Sequence, residues 1–261
     1  MTVLHEPAPD AARALFAAVG RTARLVGAAL AGLPAVLARR DGRRTLARQL
    51  FIVGVGTLAV ATVVALFTGM ILSLQLGIAF RQLSLEGMVS TTMSYAMLRE
   101  MGPFMTGIIL AACVGSAMAA QLGTMTVNDE IAALEMMSVD PVRFLVAPRL
   151  WAMTLMAPLL SFYTCVLAFL GGALVGNTQL NIPFLQFIQG VLEAAELKDL
   201  YVGLLKAAVF GVLVSGISCA VGFATTQGAA GVGASTRRAV IYSFLAILIG
   251  GYFITRCFYV L

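Results

Sequence analysis

The chain has 261 residues, 60% of them hydrophobic and only 11% charged, with a net charge of +5 and a mean hydropathy of +0.96. Soluble domains carry about 25% charged residues, so the composition excludes a soluble globular domain and indicates an integral membrane protein. The positive excess is therefore read by position, as inside–outside asymmetry, and not as affinity for nucleic acid. The length suits five or six spans of ~20 residues joined by short loops. Cys113, Cys165, Cys219 and Cys257 each stand alone in an apolar segment. Without CxxC or Cys/His spacing they read as packing residues, not as metal ligands or a disulfide framework.

Residues 1–9 are polar and proline-containing, a tail in which His5 is the only histidine of the chain and reads as inert. From Asp10 to Leu37, Asp10, Arg13, Arg21 and Arg24 fall on one helical face. Leu15, Phe16, Val19, Val26, Leu30, Leu33 and Leu37 fall on the other. This pattern predicts a helix lying in the membrane interface; the core of a signal peptide would not contain Arg21 and Arg24. Arg39, Arg40, Arg43, Arg44 and Arg48 then precede an uncharged run from Gln49 to Phe80, which marks the start of the first span as cytoplasmic. Gly69, Ser73 and Gly77 form a small-residue stripe that permits close helix approach. Gln75 lies in the same half, where a cavity and an interhelical hydrogen bond are both open readings.

A short connection, Arg81 to Gly87, leads to a second segment in which Gly102-Pro103 is expected to interrupt the helix. A helix restarting at Pro103 and running to about Thr124 would be ~33 Å long, enough to cross alone, which places Arg99 and Glu100 near the outer edge of the hydrocarbon. Gly107, Ala111, Gly115, Ala119 and Gly123 repeat every four residues, a stripe for a tight contact within the subunit or across a dimer. On the cytoplasmic side Asn128 is the expected N-cap of a short helix with Asp129 and Glu130 in its first turn. Ile131, Leu134, Glu135, Met136 and Met137 follow, and Asp140-Pro141 closes it. Arg143 and Arg149 mark the entry to a third span, about Leu150 to Val175, with its own small stripe at Ala168, Gly172 and Gly176. Asn177 to Leu200 is an acidic external segment, part of it a surface helix. A fourth span runs from Tyr201 to Phe223 with Lys206 near its outer end. A glycine-rich cytoplasmic loop from Thr225 to Thr236 ends at Arg237-Arg238, and a fifth span fills Ala239 to Thr255. Arg256 snorkels at the external edge.

The loop Gly228–Ser235 has the glycine spacing of a phosphate loop, but Ala234 stands where the lysine must be and a membrane helix precedes it. Nucleotide binding is rejected, so any ATP is hydrolysed on another chain. No catalytic constellation is readable. Arg99 and Glu100 are the better candidates, since charged residues in spans cost ~2.5–3.5 kcal/mol when central. Lys206 lies at comparable depth as a partner. A functional site and a structural ion pair are both open for this group. For Asn128–Asp140 the open readings are a docking surface and a solvated acidic turn.

Taken together, these stretches resemble the MlaE/YrbE family, the permease subunits of ABC-type intermembrane phospholipid transporters. The residues that carry it are Gly69-Met70-Ile71-Leu72-Ser73-Leu74-Gln75, Leu98-Arg99-Glu100-Met101-Gly102-Pro103, Val114-Gly115-Ser116-Ala117 and Leu122-Gly123-Thr124-Met125. Asp129 to Met137, Val139-Asp140-Pro141, Pro148-Arg149, Gly171-Gly172, Gly231-Val232-Gly233 and Thr236-Arg237 continue it, over roughly residues 45 to 256. The resemblance implies a homodimer in the bacterial inner membrane, each subunit an all-α protein with an N-terminal interfacial helix and five spans. A short coupling helix joins spans 2 and 3, the N-terminus is cytoplasmic and the C-terminus periplasmic. Residues 1–48 are the tail and interfacial helix, and 49–261 the permease domain. It implies bound phospholipid and no cofactor in this chain, ATP and magnesium belonging to an ABC ATPase subunit. An MCE-domain ring and a STAS-domain protein are the further implied partners.

The resemblance places Leu72, Gln75, Glu100, Met101 and Lys206 around a lipid cavity, and Leu76 and Arg99 complete that set. It makes Asn128, Asp129, Glu130, Ile131, Leu134, Glu135, Met136 and Asp140 the surface coupled to the ATPase. Three positions depart from the family pattern. Cys113 replaces a usual arginine and Gln121 a usual glutamate, losses that look paired, and Gly251 stands where an acid is common. A charge network of Arg99, Glu100, Lys206 and that acid is therefore expected to be incomplete. The rival readings are an ion-gradient transporter or channel, which predicts mid-membrane ionisable groups and inverted repeats, and a scaffold that carries no lipid itself.

Overall fold

The computed structural model describes residues 11–32, 34, 36 and 40–259. Among them every regular element is helical: α1 (Ala11–Ala31), α2 (Arg40–Arg81), α3 (Met88–Val127), α4 (Glu130–Met136), α5 (Val142–Gln179), α6 (Phe184–Ala194), α7 (Leu197–Phe223) and α8 (Gly228–Tyr259). Helices α2, α3, α5, α7 and α8 are long and apolar enough to cross a membrane, so this is a multi-pass membrane protein. The tail with His5, Asp10, Leu33, Leu37 and Arg39, and the side chains of Arg13, Leu15 and Phe16, lie outside the described residues. In the described part of α1, Arg21 and Arg24 are exposed while Leu25, Val26 and Leu30 pack against the core, as an amphipathic helix requires.

Small residues decide how the long helices meet. Along α2, Gly69, Ser73 and Gly77 are buried, and the Ser73 hydroxyl donates to the Gly172 carbonyl at 3.0 Å. A Cβ on Gly69 would overlap the Ala168 carbonyl of α5, and one on Gly171 would overlap that of Leu66. The stripes of α2 and α5 thus lock backbone against backbone. The stripe on α3 is used within the subunit: Gly107 lies against Phe210 and Ile247, Gly115 against Val214 and Ser218, and Gly123 against Thr225. Two apolar clusters result. The larger joins α1, α2, α3, α5, α7 and α8 around Leu110, Leu150, Met153 and Phe210. The smaller joins α2, α3, α5 and α6 around Met93, Met97 and Phe187. Cys165 and Cys219 are buried as packing residues, whereas Cys113 and Cys257 are exposed.

Two boundaries differ from the sequence reading. The glycine-rich stretch is not a loop, because α8 begins at Gly228. Its small residues let the first turns approach the end of α7: a Cβ on Gly231 would overlap the Thr226 carbonyl, and Thr225 donates to the buried Ser235 hydroxyl at 2.8 Å. Nor does Gly102-Pro103 break α3, which stays helical from Met88 to Val127 with π-turns at Met97–Met101 and Ala111–Gly115. The segment between α5 and α7 forms α6, whose Phe187 and Val191 are buried and whose Val191 carbonyl accepts from Ser94 of α3 at 3.0 Å.

The backbone contact at Gly69 predicts that Gly69→Leu destabilises the protein by ~3 kcal/mol or more through overpacking. Gly56→Leu, on the same helix with open space around it, is expected to be neutral. Thermal unfolding of both variants in detergent, followed by circular dichroism, checks this; equal midpoints would exclude the lock.

Candidate functional site

The site is built on the π-turn of α3. Within Met97–Met101 the Gly102 N–H donates to the Met97 carbonyl, one residue further back than in an α-helix. The next residue is proline, which has no N–H to give. The carbonyls of Leu98 and Arg99 are thereby released from the helix ladder, and a buried carbonyl needs a partner. Arg99 O finds one in the Lys206 ammonium of α7 at 2.7 Å. Leu98 O points at Gly203, one turn earlier on α7, where any Cβ would overlap it. Cys165 of α5 donates to Met97 O at 3.6 Å. The proline does not end the helix because neighbouring helices take up the groups it frees.

Lys206 is fully buried, and its three donors have three acceptors: Arg99 O, Glu100 Oε1 and Thr255 Oγ1, each at 2.7 Å. Thr255 donates in turn to Glu100 Oε1 at 2.6 Å, with the Gly251 carbonyl at 2.9 Å as its alternative acceptor. A second pair adjoins the first. Arg99 Nε stands 2.8 Å from Asp199 Oδ2, and Asp199, in the first turn of α7, is fully buried. The Tyr259 hydroxyl donates to Asp199 Oδ1 at 2.7 Å. The guanidinium also lies 4.4 Å from the centroid of the Tyr95 ring and 4.8 Å from that of Tyr259, cation–π contacts that hold it in place. A lone buried charge costs several kcal/mol, so the two buried ions are held only because each has an opposite partner. Those partners stay accessible, with side-chain exposures of 33% for Arg99 and 45% for Glu100. The cluster sits toward the end of the bundle where α3 and α7 begin and α8 finishes, Lys206 being about 14 Å along α7 from Leu197. Its depth is set by a continuous α3 and not by a restart at Pro103.

Of the other cavity candidates, Leu72 and Leu76 are half-buried against the smaller apolar cluster that contains Met97, while Gln75 and Met101 are exposed. The structure thus unites Arg99, Glu100 and Lys206 and adds Asp199, Thr255, Tyr95 and Tyr259, which the sequence reading missed. Helical spacing held part of the signal: Tyr95 and Arg99, and Thr255 and Tyr259, are four residues apart, and Asp199 and Lys206 seven, so each pair shares a face.

At the arginine-rich end, α4 is a single short helix. Asn128 is the C-cap of α3, not the N-cap of α4; Asp129 takes that position in a left-handed conformation, φ 58°, without a side-chain cap bond. Ile131 and Leu134 are half-buried, whereas Glu130, Glu135 and Met136 are exposed. Asp140 serves the next element: its Oδ1 accepts from the Val142 N–H at 2.9 Å, and its Oδ2 lies 3.2 Å from Arg143 Nε.

Residues 46–257, which contain the charge cluster and α4, match the profile of the permease MlaE family. The chain belongs to the MlaE permease family. It is 38% identical over 209 residues to a probable ABC transporter permease protein of Rickettsia typhi, covering 80% of this chain and 81% of that one. A probable ABC transporter permease protein of Synechocystis is 36% identical over 220 residues, 84% of each chain. The intermembrane phospholipid transport system permease protein MlaE of Haemophilus influenzae is 31% identical over 234 residues, covering 89% and 88%.

The positions at which the resemblance leads one to expect departures from the family can be placed in three dimensions. The absence of an acid at Gly251 leaves no gap, because Asp199 supplies the carboxylate to Arg99 and Thr255 the hydroxyl to Lys206. Gln121 Oε1 accepts from Arg149 Nη2 at 3.4 Å, and Cys113 is exposed. Arg149 is itself buried and also donates to the Leu145 carbonyl at 3.2 Å, so it is a packed residue of α5.

Asp199→Asn removes the charged partner of both Arg99 and Tyr259 and is expected to destabilise the protein by ~2 kcal/mol, the loss of charge-assisted contacts. The partial exposure of Arg99 spares it the full cost of a stranded buried charge. Tyr259→Phe removes one hydrogen bond and is expected to cost ~1 kcal/mol. Chemical unfolding of both variants in detergent tests the ranking; the reverse order would mean that Asp199 does not anchor Arg99.

Proposed function

We propose that this chain is the permease subunit of an ATP-driven transporter that moves phospholipid between the inner membrane and a periplasmic MCE-domain carrier. The observation that carries this reading is the half-exposed Glu100 carboxylate, held by a fully buried lysine inside an apolar bundle. A purely structural pair has no need to keep one charge open. An amphiphile, with a polar head and apolar tails, suits a charged spot set in such a wall. The relative in Haemophilus, named as an intermembrane phospholipid transport permease, supports the same cargo.

In this reading the arginine-rich end is cytoplasmic and α4 seats in a separate ATPase subunit. Met136, 84% exposed, is the apolar anchor, with Glu130 and Glu135 beside it, and Asp129 and Asp140 flank the helix. A second copy of the chain completes the cavity. The exposed residues of α3 beyond Met101 are Ala112, Cys113, Ala117, Gln121 and Thr124, a face with no large apolar side chain. By contrast, α2 and α8 expose Phe67, Ile71, Phe244 and Leu248 as lipid-facing helices do. A face of small residues suits another helix better than lipid tails. ATP-driven movement of the partner, transmitted through α4, would squeeze the outer cavity and push lipid into the MCE ring, with a STAS-domain protein as a further component.

The test is purification of the tagged protein from its native membrane with mass spectrometry of all that accompanies it. An ATPase, an MCE protein and stoichiometric phospholipid are the expected companions; a chain that emerges alone even after cross-linking would refute the reading. Reversing the charges at Asp129, Glu130 and Glu135 is expected to lower ATPase recovery about tenfold or more, since like charges at an interface cost several kcal/mol. Unchanged recovery and ATPase stimulation would remove α4 from the coupling role.

A further inference from the structure

The four ionised groups of the cluster divide by accessibility. Asp199 and Lys206 are buried, whereas Arg99 and Glu100 are partly open, so each buried charge neutralises one accessible charge of opposite sign. What these four groups offer outward is one cation and one anion on consecutive residues of α3, with the exposed Lys198 ammonium beside them, 5.2 Å from the centroid of the Tyr259 ring. The guanidinium lies against the Tyr95 and Tyr259 rings and its Nε is paired with Asp199, contacts that leave its terminal N–H donors unused among the described residues. Among the described residues both donors to Glu100, Lys206 and Thr255, fall on Oε1, and Oε2 receives none.

From this arrangement, and resting on the phospholipid reading above, we infer that the site selects a zwitterionic headgroup carrying a primary ammonium, of the phosphoethanolamine type. The phosphate pairs with the terminal N–H groups of Arg99, which suit a phosphate by geometry and charge. The ammonium donates to Glu100 Oε2. An anionic glycerol headgroup satisfies Arg99 but has no ammonium to donate to Glu100 Oε2, so it makes one charge-assisted contact where a phosphoethanolamine headgroup makes two. A choline headgroup has the charge but no N–H to donate. Its usual recognition by aromatic faces is weakened here, because Tyr95 and Tyr259 already turn a face to Arg99.

The measurement is native mass spectrometry of the purified full-length protein after exchange into nanodiscs holding equal amounts of phosphatidylethanolamine, phosphatidylcholine and phosphatidylglycerol. Bound phosphatidylethanolamine is expected to exceed each of the other two about tenfold, the equivalent of ~1.4 kcal/mol. In Glu100→Gln, which keeps an acceptor oxygen but removes the charge, the preference over phosphatidylglycerol is expected to vanish or reverse. Lipid bound in the proportions of the nanodisc, or enriched in phosphatidylglycerol, would overturn the headgroup inference while leaving phospholipid binding intact. A protein that retains no lipid would overturn both. If Glu100→Gln does not fold because Lys206 loses its counter-charge, the ratio on the unaltered protein decides by itself.

Discussion

An ammonium group with no access to water is the constraint on which this end of the bundle depends. Lys206 has three hydrogens to place, and the acceptors come from three sources: a backbone carbonyl and a carboxylate on α3, and a hydroxyl on α8. Meeting that demand ties α7 to both neighbours at one point. It also explains why the proline in α3 is tolerated. In isolation Pro103 would cost ~3 kcal/mol, but the carbonyl it orphans is one that Lys206 requires. The apparent defect in one helix and the apparent excess charge in another cancel.

The rest of the bundle is held differently. Toward its middle, α2 and α5 meet through glycine and serine, so that main chains touch and side-chain entropy is scarcely spent. Within a bilayer, where burying apolar surface brings little gain over lipid tails, such close approach is the main source of helix association. The two modes have different tolerances. The α2–α5 seam is sensitive to volume, whereas the cluster around Lys206 is sensitive to charge and, at Gly203, to volume as well.

Much of this was legible in the sequence. Uncharged runs bounded by arginines located the spans, and the four-residue stripes named the residues at which helices meet. Arg99, Glu100 and Lys206 stood out because ionised groups in apolar segments are costly. Other features were hidden for physical reasons. Gly102-Pro103 reads as a helix end because local propensity says nothing of an acceptor-seeking lysine on another helix. The stretch from Gly228 reads as a loop because its glycines are judged one by one, whereas in the fold they let α8 start against Thr226. Asp199 stood in an acidic run, and nothing local distinguished the one carboxylate that would be wholly buried from its solvated neighbours. Asn128 and Asp140 were assigned to the wrong helix ends, since a capping residue is recognised by backbone angles that its identity does not determine.

The π-turn at Met97–Met101 also acts as a phase shift in α3. It takes up one residue more than an α-turn would, and one residue corresponds to about 100° of rotation about the axis. The segment before it, which packs on α6, and the glycine stripe after it, which packs on α7, are brought into register by that extra residue. Deleting one residue here would swing Arg99 and Glu100 about a quarter of the way round the helix relative to the stripe. Helix length elsewhere in α3 can drift at its ends, but the count between Tyr95 and Gly107 is held to a single value.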